Sequence, residues 1–133
     1  MLDTRAVAAK LGDVLDPALR SLRNASASEF VPFERYGAPI EGMTWCPLSI
    51  GDDDDLEIYL LRLAAGAQTY PHEHVGCEQF LVLEGSLIDC DGTRIPAGTF
   101  ARFEAGSRHH STTDEDCLLL VIMRTPNRRL EID

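Results

Sequence analysis

From Val31 to Met123 the chain holds no helical period. Short apolar runs recur instead, each closed within a few residues by Gly, Pro or Asp. The runs are GMTWCPLSI, LEIYLLRLA, AQTYPHEH, EQFLVLEG, SLIDC, TFARF, RHHSTT and CLLLVIM, separated by GDDDD, VG, DG, PAG and EAGS. Many short strands at such spacing build a sandwich or a barrel, so the expected fold class is all-β. Asp91-Gly92 is the strongest hairpin signal. The run Cys117–Met123 is apolar at successive positions, which predicts a strand covered on both faces. The acidic stretch 52–55 lacks the spacing of a calcium loop and reads as a solvated turn.

Ahead of the strands, one or two short helices are expected within a 1–30 extension, with the barrel spanning 31–133. Asp3 is the cap of the first, with Val7, Ala8 and Leu11 on one face and Gly12 as its stop. The second is predicted to start at Asp16-Pro17, with Leu19 and Leu22 on one stripe. A chain of 133 residues suits one domain. No apolar run approaches the roughly 20 residues of a membrane helix, and no signal-peptide core opens the chain. A cytoplasmic location is therefore expected. The net charge of −10 argues against nucleic acid and against anionic membranes. Cys46, Cys77, Cys90 and Cys117 form no C-x-x-C pair and read as free thiols.

All four histidines fall in two pairs, His72/His74 and His109/His110. On a strand, residues i and i+2 share a face, so His72 and His74 project together as two ligands of one metal must. Glu78 follows a Val75-Gly76 turn and can return a carboxylate. Strand parity admits only one of His109 and His110 to the same site. The same parity places Gln68 and Tyr70 beside His72, Phe80 beside Glu78, and Ser107 and Ser111 beside His109. It turns Cys77 and His110 away. Trp45 and Met123 read as core.

The spacing G66-x5-H72-x-H74-x3-E78-x6-G85 resembles the first motif of the cupin superfamily. G98-x5-E104-x-G106-x2-H109 resembles the second and aligns His109 with the ligand position. Glu104 replaces the usual proline, and Thr113 stands where many cupins carry asparagine. With GMTWCPLS before it and DCLLLVIM at its end, the region is most similar to the cupin-like domain at the C-terminus of the ChrR anti-sigma factor and its standalone relatives. The resemblance implies a barrel of six to eight strands, often dimeric, with one divalent metal at its mouth held by His72, His74, Glu78 and His109. Three imidazoles and a carboxylate suit zinc or iron, with manganese or nickel as further options. The implied activity is that of a dioxygenase, isomerase or lyase on a small oxygen-rich molecule. The alternative is a regulatory or sensor cupin without catalysis. The zinc-binding helical domain of such an anti-sigma factor is not expected in residues 1–30, which contain no His or Cys.

Overall fold

The run Glu57–Leu63 alternates buried and half-buried residues along its whole length, as a strand with one face on a core must. In the computed structural model, which describes residues 3–12, 16–51 and 55–131, this pattern repeats until a barrel closes. The strands are β1 (Val31–Pro32), β2 (Met43–Ser49), β3 (Glu57–Leu63), β4 (His72–Glu73), β5 (Glu78–Glu84) and β6 (Ser86–Asp89). They continue with β7 (Arg94–Pro96), β8 (Phe100–Phe103), β9 (Arg108–His109), β10 (Ser111–Thr112), β11 (Cys117–Met123) and β12 (Arg128–Arg129). The fold is all-β, as expected. A six-stranded sheet runs in the order β1-β2-β3-β11-β5-β8, and two three-stranded sheets, β10-β6-β7 and β12-β4-β9, complete the barrel.

The core lies between these sheets. Leu63, Val82, Val121 and Met123 are almost fully buried, and Leu87 and Ile95 of the β6-β7 hairpin join the same cluster. Each fully buried aliphatic side chain contributes roughly 1.5–3 kcal/mol over its exposed state. Trp45 packs against this core, edge-on to Phe33 and Tyr59. Gly85 shows why the motif ends on glycine. Its φ is +72°, and a Cβ there would stand 2.1 Å from the Asp116 carbonyl oxygen. The expected turn at Asp91-Gly92 links β6 and β7, with Gly92 N–H donating to Asp89 O.

Three expectations need correction. The first helix forms over Thr4–Gly12, with Asp3 accepting from the Arg5 and Ala6 amides. The second does not. Asp16 caps only a single 3-10 turn at Pro17–Leu19, and Arg20 is already extended. Leu19 and Leu22 are 86% and 85% exposed. A short helix whose apolar stripe meets no partner has little to stabilise it. Strand β11 is not covered on both faces, because Leu120 and Ile122 are only half-buried. Residues 67–71, read as part of a strand, contribute one isolated bridge, Gln68 to Thr112. The core of the acidic turn, 52–54, lies outside the described residues. All four cysteines are free. Among the described residues no helix is long and apolar enough to cross a membrane.

Candidate metal centre

Strand β4 lies between β12 and β9, with His72 directly opposite His109. His74 follows at the start of the turn into β5. The three rings gather with centroids 4.6 to 5.0 Å apart. Each offers one nitrogen to a common point, and these nitrogens lie within 4.8 Å of one another.

The outer nitrogens fix which ones turn inward. His72 Nδ1 donates to the Tyr70 carbonyl at 2.7 Å. His109 Nδ1 donates to Asp89 Oδ1 at 2.9 Å. His74 Nδ1 lies 2.8 Å from Ser107 Oγ, and that hydroxyl donates onward to Glu104 O. With its proton so committed, Ser107 accepts from His74. In all three rings Nδ1 carries the hydrogen, which leaves Nε2 as a lone pair, the tautomer a metal ligand needs. Phe103 packs against His74 and His109 at 5.2 and 4.4 Å between centroids and limits their tilt.

Glu78 is buried at the head of β5. Its Oε2 stands 2.8 Å from His74 Nε2. That nitrogen is nevertheless buried without an acceptable hydrogen bond. Two acceptors held this close in a buried place fit a shared cation, which satisfies both. Asn127 Nδ2 donates to the same carboxylate oxygen at 2.9 Å. Burial pushes the Glu78 carboxyl up, and donation from the Asn127 amide pulls it down. Burial lowers His72 and His109 below the ordinary imidazole value, so both favour the neutral form.

A cavity of about 60 Å³ opens beside His72, Glu78 and His109. Among the residues predicted around the site, Tyr70, Phe80 and Ser111 line it. Ser107 sits behind His74, and Gln68 lies outside the cavity with its amide 3.5 Å from His110 Nδ1. Parity does not carry across the irregular stretch that leads to Pro71, and so Gln68 faces elsewhere. Cys77 is half-buried near Gln79. Sequence reasoning did not single out Asp89, Asn127, Phe103 or Tyr36. Tyr36 also lines the cavity, and its hydroxyl proton points to Met123 Sδ, a weak acceptor, at 3.8 Å. Burial raises its pKa, so it remains a donor. No local signal marks these residues, because strands and turns distant in sequence bring them to the site.

The profile of the ChrR cupin-like domain family matches residues 21–126. Among solved structures, an acetylacetone dioxygenase from Acinetobacter johnsonii aligns with a TM-score of 0.74 at 17% identity, over 84% of this chain and 78% of that one. The polyketide cyclase RemF from Streptomyces resistomycificus aligns at 0.67 and 20% identity, over 85% and 88% of the two chains. The complex of SigE with the anti-sigma ChrR from Rhodobacter sphaeroides aligns at 0.60 and 21% identity, over 92% and 67%. No curated protein sequence matches significantly. At these identities the structural likeness shows the fold alone.

Proposed function

Because the chain belongs to the ChrR cupin-like domain family, we propose that His72, His74, Glu78 and His109 hold one divalent transition metal and that a small oxygen-rich molecule is bound and transformed beside it. The observation that carries this reading is the buried His74 Nε2, which faces Glu78 at 2.8 Å without a hydrogen bond. Zinc or iron suits the donors first, then manganese or nickel. When bound, such an ion supplies Lewis acidity toward a carbonyl or enolate oxygen and, if redox-active, affinity for dioxygen.

The chain's own residues do the remaining work. Asp89, Ser107 and the Tyr70 carbonyl hold the imidazoles in one tautomer and one orientation. Asn127 fixes Glu78. Leu61, Phe80 and Leu119 give the cavity a dry wall, and Tyr36 adds a hydroxyl whose proton is held only by the weak acceptor Met123 Sδ. Dioxygenase, isomerase or lyase chemistry fits this arrangement. Similarity to proteins named for chemistry on acetylacetone and on a polyketide supports substrates bearing neighbouring carbonyls.

Metal analysis of the purified protein beside the His72→Ala plus His74→Ala double variant tests the site. Stoichiometric metal is expected in the first and none in the second. One tightly bound ion in the double variant would refute the assignment. Oxygen uptake after anaerobic iron loading, screened over small diketones and phenolic acids, tests the dioxygenase form. A saturated four-ligand zinc site with no uptake would remove that form. A regulatory cupin without turnover is the second reading, supported by similarity to the SigE–ChrR complex over 92% of this chain. Ligand binding without turnover would favour it.

A further inference from the structure

The cavity of about 60 Å³ has room for on the order of four waters. Its walls are mostly apolar, and one permanently cationic side chain lines it, Arg129. Strand β12 sets Arg129 directly opposite His72 of β4, so the two side chains stand together on one face of the sheet. The guanidinium carbon lies 3.9 Å from the centroid of the Tyr70 ring, whose hydroxyl is anchored on Ala38 O at 3.0 Å. Across from it, a Cβ on Gly37 would come within 3.0 Å of Arg129 Nη1. The guanidinium is therefore held over one aromatic ring, beside a loop position that carries no side chain.

Its electrostatic surroundings differ from those of the other strand arginines; Arg124, exposed in the turn after β11, also lacks a carboxylate partner among the described residues but lines no part of the cavity. Arg35 pairs with Glu57, Arg62 with Glu84, Arg94 with Asp114 and Arg102 with Glu104. Arg108 and Arg128 share Glu73. Arg129 has no carboxylate partner among the described residues, although acidic residues outnumber basic ones 22 to 12 in the chain. A supply of carboxylates is not what leaves it unpaired. A planar guanidinium over a ring keeps its N–H edge free, and that edge matches a carboxylate in bidentate fashion.

We infer that Arg129 recognises a carboxylate on the molecule bound beside the histidines, so the substrate class is a short oxo acid rather than a neutral diketone. The inference rests on the metal-site reading above. A short oxo acid fits the small cavity with its carbonyl toward the histidines and its carboxylate toward Arg129, which is exposed at the opening.

The test uses zinc-loaded protein and two probes that share one chelating unit, pentane-2,4-dione and 2,4-dioxopentanoate. Calorimetry is expected to show the acid bound about tenfold to a hundredfold more tightly. The net charge of −10 opposes an anion, so the preference reports a local contact. Arg129→Gln is expected to lose it while keeping metal content, melting temperature and affinity for the dione. Arg129→Lys is expected to retain part of it. If the wild type binds both probes equally, the role of Arg129 is wrong and the metal-site reading stands. If Arg129→Gln keeps the full preference, the carboxylate is bound elsewhere and the inference falls. If neither probe binds the zinc-loaded protein, the inference falls together with the reading that a chelating oxygen-rich molecule binds beside the metal, while the metal ligands are judged by the metal analysis alone.

Discussion

The two faces of the β12-β4-β9 sheet are built from alternate residues of the same three strands and solve opposite problems. On the outer face Arg128, Glu73 and Arg108 stand in register. Glu73 accepts from Arg108 Nε at 2.9 Å and from Arg128 Nη2 at 2.8 Å, which closes the charges on one another. Hydrogen bonds to Arg128 and Arg108 hold its carboxyl below the usual range. On the inner face Arg129, His72 and His109 stand in the same register. Here the polar edges point into a cavity, and the protein orients them from behind instead of neutralising them in front. Polar groups that satisfy one another serve the sheet. Groups tethered at the back and open at the front are arranged for something that is not protein.

The sharpest way to break that contrast is to cut a tether. Asp89 accepts from His109 Nδ1 and stands on β6, outside the inner face itself. Asp89→Ala is expected to weaken metal binding by about tenfold to a hundredfold, the usual cost of losing such a partner. Competition with a chromophoric zinc chelator measures it. Far-UV circular dichroism should remain that of the folded barrel. Unchanged affinity would mean that the histidine orientation is set by packing against Phe103 alone.

A smaller effect follows from burial of the imidazoles. Folding lowers the affinity of His72 and His109 for protons, chiefly through desolvation. The unfolded chain takes up these protons near pH 6.5, the folded chain only below that. In between, the unfolded state binds more protons, so metal-free protein loses stability as pH falls through 6.5. Thermal melts of the metal-free protein at pH 7.5, 6.5 and 5.5 should show this decline. It should flatten in the His72→Gln plus His109→Gln variant. A decline of equal slope in that variant would assign it to other groups.

How much of this contrast was legible beforehand depended on regularity. Alternation reads true where a strand is continuous, and the spacing of His72, His74 and Glu78 pointed to one place. Parity failed at Gln68, because the chain up to Pro71 is not a strand and is held by an isolated bridge to Thr112 with flanking bonds at Ala67 and Thr69. The stripe of Leu19 and Leu22 had the right spacing for a helix, but among the described residues no surface covers it. Asp89, Asn127 and Arg129 carried no local signal. Their roles arise from contacts between segments far apart in sequence, which a local pattern does not display. Thr113, at the position where many cupins carry asparagine, is buried; its hydroxyl lies 2.8 Å from Ser86 O and 2.6 Å from Glu115 O, either of which can take its one proton, and it accepts from the Glu115 amide. Its hydroxyl therefore ties the start of β6 to the turn before β11, a role that composition could not announce.

The smallest expected effect comes from the outer face. Arg108 and Arg128 are 61% and 56% exposed, so their pairing with Glu73 is formed largely in water and is screened by salt. Glu73→Gln removes the shared charge while leaving the side chain's shape. Its neighbours in sequence, His72 and His74, face the other way and keep their tethers to the Tyr70 carbonyl and Ser107. The variant should therefore bind metal as the wild type does, and its melting temperature should fall only marginally. That small deficit should shrink further in about 1 M salt, where the screening length is roughly 3 Å. Metal titration and paired melts at low and high salt check both halves. If Glu73→Gln instead loses metal, the outer charges would be setting the geometry of β4, and the two faces would have to be treated as one coupled unit.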